Sequence, residues 1–177
     1  MNNTDSKVTP VVNHKRTHTT LIKNIINNDA TGENGKSGGE ALVKYISRKV
    51  TLAEGQDAED IKVYLTGYRP SGSDIRVYGK FLNASDSDSF DDVDWVELTM
   101  SSKSLYSDIS QIDDFKEFEY SIPASSLTGP NEEFQYVNSN AVTFTGYKYF
   151  SLKIVLLSSL TYRIPRCADV RAICLQK

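Results

Sequence analysis

Two stretches of alternation constrain this chain more than any other feature. Ile61, Val63 and Leu65 alternate with Lys62, Tyr64 and Thr66, and Ile75, Val77, Gly79 and Phe81 alternate with Arg76, Tyr78 and Lys80. A period of two places one set of side chains on a buried face and the other toward water, so both stretches are expected as half-buried β-strands. Between them lies Arg69-Pro70-Ser71-Gly72-Ser73-Asp74. Proline presets φ and glycine supplies a positive φ, so this is expected as a hairpin turn.

The same pattern extends down the chain. Strands are expected near 42–52, 60–68, 74–83, 94–100, 115–122, 133–137, 142–145, 148–157 and 168–175. All five prolines fall in the N-terminal segment or between these strands, where a missing N–H harms no ladder. Phe150, Leu152, Ile154 and Leu156 mark the most apolar segment, expected as a central strand. Many short strands with regular turn signals predict an all-β chain, an antiparallel, jelly-roll-like β-sandwich over 41–177. Its core is expected to hold Ile61, Val63, Ile75, Val77, Trp95, Leu152, Ile154 and Val170.

Residues 1–40 are rich in Asn, Thr, Gly and Ser and have little to bury. They are expected as an extended polar arm with a Gly-rich hinge. Within it Leu21, Ile22, Ile25 and Ile26 form an apolar knot, the candidate partner-docking residues. The cluster His14-Lys15-Arg16-Thr17-His18 lacks aromatic interleaving, so nucleic acid is not an expected partner. Ala30 to Ser37 reads ATGENGKS, a loose match to a phosphate loop. A phosphate loop needs a strand before it and a helix after it; here an Asn-rich segment precedes and Gly38-Gly39 follow, so it is read as the hinge.

Charge is unevenly spread. The chain carries −3 overall, yet residues 84–119 carry eleven acids and two bases, a local −9 that leaves +6 elsewhere. Such asymmetry suits a protein that docks against neighbours. The loop from Ala84 to Asp94 is the most acidic. Counted from Asp86 as a calcium loop, the twelfth position is Glu97, but the sixth is Asp91 where glycine is required. It is read as an exposed loop, and no metal or other cofactor is expected. Cys167 and Cys174 would lie about 23 Å apart on one strand, beyond the roughly 7 Å Cα limit of a disulfide. Both are expected as small buried thiols of a reducing compartment. No apolar run reaches the roughly 18 residues of a membrane helix, and MNNTDSKVTP has no apolar leader core. Neither a nucleophile elbow nor a metalloprotease helix motif appears, so no catalytic residues are expected.

A resemblance joins these readings. The segments Tyr45 to Gly55, Ala58 to Leu65, Tyr68 to Tyr78, Phe90 to Leu98, Phe115 to Tyr120 and Phe150 to Leu156, then Pro165-Arg166 and Asp169 to Ile173, carry it. In that order they resemble a β domain of virion structural proteins from tailed bacteriophages, notably marine contractile-tailed ones. There the domain commonly lies near the C-terminus of longer tail or baseplate proteins. The resemblance implies a non-enzymatic virion component, assembled in host cytoplasm, with other phage proteins and copies of itself as partners. The alternative is a host-surface glycan-binding module of a tail fibre, with Tyr64, Tyr68, Tyr78 and Tyr106 as an aromatic platform.

Overall fold

The computed structural model describes the backbone of Val8–Asn13 and His18–Lys23 and the whole of residues 25–177. The fold is all-β, with antiparallel sheets packed as a sandwich. After a hairpin of β1 (Val8–Asn13) and β2 (His18–Lys23) come β3 (Val43–Ile46), β4 (Val50–Thr51), β5 (Asp60–Tyr68) and β6 (Ser73–Leu82). Then follow β7 (Val96–Glu97), β8 (Thr99–Met100), β9 (Lys116–Ser121), β10 (Leu127–Thr128), β11 (Glu133–Val137) and β12 (Thr143–Thr145). Two long strands close the chain, β13 (Tyr149–Ser158) and β14 (Arg166–Leu175).

One sheet has the order β3-β13-β6-β7, with β4 also on β13; the other has β14-β5-β9-β8. The expected hairpin between β5 and β6 is therefore not one, because its two strands belong to opposite sheets. Turn chemistry at Pro70 and Gly72 reverses the chain, but it does not decide whether the flanking strands pair edge to edge. Here their apolar faces meet instead: Ile61, Val63 and Leu65 face Ile75, Val77 and Phe81 in one buried cluster. Gly79 belongs to that arrangement. A Cβ there would fall 2.2 Å from the Phe81 ring, so the missing side chain is the space the ring occupies.

A third sheet, β10-β11-β12, packs at one end of the sandwich. It brings Phe134 to within 5.0 Å of Phe81, ring centroid to ring centroid, and Tyr147 stands 4.7 Å from Phe81. Buried tyrosine hydroxyls find acceptors, Tyr147 on the Asp60 carbonyl and Tyr120 on the Ile75 carbonyl.

Three expectations change. Val170 is only half-buried, because β14 is an edge strand. Cys167 is exposed and Cys174 half-buried, so neither is a core thiol; a bulge at Ala168 offsets β14 on β5. Trp95 is buried, but on the far side of the β6–β13 sheet from the main core, with Tyr78, Val155, Leu157 and Ala41.

That far side is the largest departure. Alternation assigned Tyr78 and Lys80 to solvent, and Lys153 pairs with Tyr78 on the same face of the sheet. All three are buried, under a lid made of residues 27–41 and the loop that carries Trp95. The Gly-rich stretch expected as a hinge is thus a folded loop. Asn27 anchors it: its carbonyl accepts from the Ser158 N–H, its Oδ1 accepts from the Leu42 N–H, and its Nδ2 donates to the Glu40 carbonyl. At Gly39 a Cβ would fall 2.5 Å from the Glu33 nitrogen and the Thr31 oxygen. Glycine there is what lets the loop close on itself.

Candidate functional site

The lid centres on Glu33, whose carboxylate is fully buried between two lysines. Its Oε1 accepts from Lys44 Nζ at 2.8 Å and its Oε2 lies 2.9 Å from Lys153 Nζ. Lys153 also donates to the Glu33 carbonyl. The Tyr78 and Trp95 ring centroids each lie 4.8 Å from the Lys153 nitrogen. Burial alone would raise the Glu33 carboxyl, but hydrogen bonds from Lys44, Lys153 and the Ala41 N–H outweigh it and hold the group below its ordinary range. Lys153 shares its carboxylate with Lys44, so there burial wins and the ammonium is pulled down.

The phosphate-loop lookalike belongs to this lid. No helix follows it. Lys36 pairs with Asp92 at 3.1 Å, and its backbone N–H donates to Asp94. These contacts tie the lid to the acidic loop.

Of the docking residues read from the sequence, Ile25 is 60% exposed and Ile26 half-buried, just before the Asn27 anchor. Leu21 and Ile22 lie in β2; their side chains are outside the described residues, as is the basic cluster from His14 to Thr17.

The acidic loop is fastened rather than free. Asp86 accepts from the Tyr136 hydroxyl at 2.7 Å and from Asn138 Nδ2 at 2.9 Å, and Asp88 accepts from the Ser139 hydroxyl and N–H. Desolvation would raise Asp86, but these donors hold it low. Its oxygens already face protein donors, and among the described residues no group of His, Cys, Asp and Glu has the geometry of a metal site.

The four tyrosines do not share a face. Tyr64 lies on the outer face of the β5 sheet and Tyr78 on the outer face of the β6 sheet, beneath the lid. Tyr68 is buried, and the exposed Tyr106 stacks on Arg69 at 4.5 Å.

A cleft of about 520 Å³ opens where Arg69, Asp74, Arg76, Glu97 and Tyr106 meet. The charges of Arg69, Asp74, Arg76 and Glu97 are spent on one another. Arg69 donates twice to Asp74 and to the carbonyls of Lys103 and Leu105, and Arg76 bridges Asp74 and Glu97. Arg69 therefore clamps the 103–105 loop and has little left to offer a ligand.

A second cleft, about 460 Å³, lies beside the lid. It is lined by Lys49, Lys80, Phe90 and Trp95 with Ser47 and Ser151, among others. Lys80 is only 5% exposed. Its Nζ donates to the Asp91 carbonyl at 3.1 Å and lies 5.0 Å from the Trp95 ring and 5.8 Å from Phe90. Lys49 lies 5.6 Å from the same Phe90 ring. Sequence reasoning missed this site because a lysine at an outward position of a strand reads as solvated. The signal available was Ile154 to Leu157, four consecutive apolar residues, which marks a strand buried on both faces.

Comparison with protein-family models, with curated proteins and with solved structures found no match. Among the described residues, no helix is long and apolar enough to cross a membrane.

Proposed function

We propose that this chain is a non-enzymatic structural component of a tailed-bacteriophage virion, in the tail, baseplate or neck, that assembles through its N-terminal hairpin. The observation that carries the reading is that β1 and β2 form a two-stranded sheet of their own, with no third strand added by the chain's described residues. An isolated two-stranded hairpin is at best marginal in water, so a partner surface is what makes it useful. Exposed Ile25 at its base adds apolar area to such a contact. So does the outer edge of β3, which no other described strand covers and where Tyr45 and Ile46 are exposed. The resemblance supplies the setting: a virion assembled in host cytoplasm, with other virion proteins and further copies of this chain as partners. The glycan-binding alternative rested on a tyrosine platform, and the dispersal of those four tyrosines removes that support.

The test is a pair of truncations. Removing residues 1–24 spares the lid; the domain should stay folded with an unchanged melting temperature but fail to enter particles. Removing residues 1–35 also deletes Glu33, leaves Lys153 without its carboxylate, and should destabilise the sandwich itself. Normal incorporation of the shorter truncation would place the docking surface on the sandwich and end the hairpin reading.

A further inference from the structure

The two buried lysines of the outer sheet face differ in one respect. Lys153 has a carboxylate against it, and Lys80 has none within ion-pair distance among the described residues. One of its three N–H donors is used, on the Asp91 carbonyl. A buried ammonium is costly unless paired, and cation–π contacts offset only part of that cost. Burial pulls this ammonium down, as expected of a cation short of a partner; Asp91, Asp94 and Asp92 oppose the shift from further away.

The group that would complete it is defined by the cleft. Lys80 and the exposed Lys49 both flank the Phe90 ring, so an anion near that ring meets two cations. Phe90 is half-buried and offers an apolar ring to stack on. The exposed Asp91 carboxylate adds a polar group suited to hydroxyls rather than to a second charge, while the Ser151 hydroxyl is already held by Ser47. The volume, about 460 Å³, is in the range of small-ligand sites. We propose that this cleft binds an acidic sugar, its carboxylate against Lys80 and Lys49 and its ring stacked on Phe90. The assignment does not depend on the assembly role, since the cleft lies wholly within residues 46–151.

Trp95 is the chain's single tryptophan and lines the cleft, which gives a direct readout. The full chain is titrated with methyl β-D-glucuronide and with the α-methyl glycoside of N-acetylneuraminate, following tryptophan fluorescence and heat. Methyl β-D-glucoside and sodium acetate serve as controls. At least one acidic sugar should bind saturably with Kd on the order of millimolar. The neutral glucoside and acetate should each be at least about tenfold weaker, since each lacks half of the contacts. Lys80→Met should abolish binding. Because that change alters a buried site, Lys49→Ala is the decisive variant; its side chain is exposed, its melting temperature should hold, and affinity should fall about tenfold. The proposal is overturned if neither acidic sugar saturates. It is also overturned if the glucoside or acetate binds as tightly, or if folded Lys49→Ala binds like the parent.

Discussion

The two faces of the β6–β13 sheet are built from the same two strands and follow opposite rules. The inner face is apolar and aromatic: Ile75, Val77, Phe81, Phe150, Leu152 and Ile154 pack on the opposite sheet with scarcely a polar atom. The outer face is just as dry at its centre, yet it buries Lys153, Lys80 and Ser151 beside Tyr78, Val155 and Leu157. Inner residues are covered by another sheet and are held by area removed from water. Outer residues are covered by loops whose apolar contribution is chiefly Trp95, and Glu33 and the lysine–ring contacts help to secure them. A face closed by a loop can in principle open by itself, whereas a face closed by a sheet opens only when the domain unfolds.

The largest effect should come from the inner face. Phe81→Ala removes a ring that touches Phe134 and Tyr147 and should cost about 3–5 kcal/mol in urea unfolding. Glu33→Ala should cost less, about 2–3 kcal/mol, because water can reach Lys153 once the lid lifts. Adding Lys153→Met to Glu33→Leu should recover most of that loss, since an apolar pair tolerates the site. If Glu33→Ala proved as costly as Phe81→Ala, the two faces would be one cooperative unit and the contrast would fail.

Titration sharpens the same point. The Glu33 carboxyl is lowered on folding, so its contribution is complete above the ordinary carboxyl value of 4.5 and is lost as the pH falls through the lower, folded value. The stability gap between the parent and Glu33→Ala should therefore be constant near neutrality and narrow below about pH 4.5. A gap unchanged to pH 3 would mean that the carboxylate charge is not what secures the lid. The smallest effect tests the lid's backbone alone. Gly39→Ala, with its Cβ forced against the Glu33 and Thr31 backbone, should cost about 1–3 kcal/mol. Amide exchange should rise over residues 30–41 while the inner strands stay protected.

The contrast also explains what could be read in advance. Alternation located β5, β6 and β13 to within a residue or so, because the inner face is decided by side chains within each strand. The outer face is decided by a segment more than a hundred residues away from Lys153, and that segment's Asn, Gly and Ser content looks like a linker. Beyond the apolar run from Ile154 to Leu157, which marks β13 as covered on both faces, nothing local to Lys80 or Lys153 announces a cover. The β5–β6 turn failed for a related reason: Pro70 and Gly72 specify a reversal, while the choice between pairing in one sheet and facing across two depends on β13, β9 and β14.

The Asn27 anchor has a consequence for geometry beyond this chain. Because its carbonyl and side chain hold the end of β13 and the start of β3 together, the hairpin leaves the domain at one fixed point on the rim. Only three residues separate Lys23 from Asn27, a span of at most about 14 Å. Such a short leash keeps the hairpin at high effective concentration for whatever lies against that rim and out of reach of anything further off. In the proposed assembly it would act as a ruler: the spacing between neighbouring copies would be set by the tether, and lengthening it by a few residues should loosen that spacing before it weakens any contact.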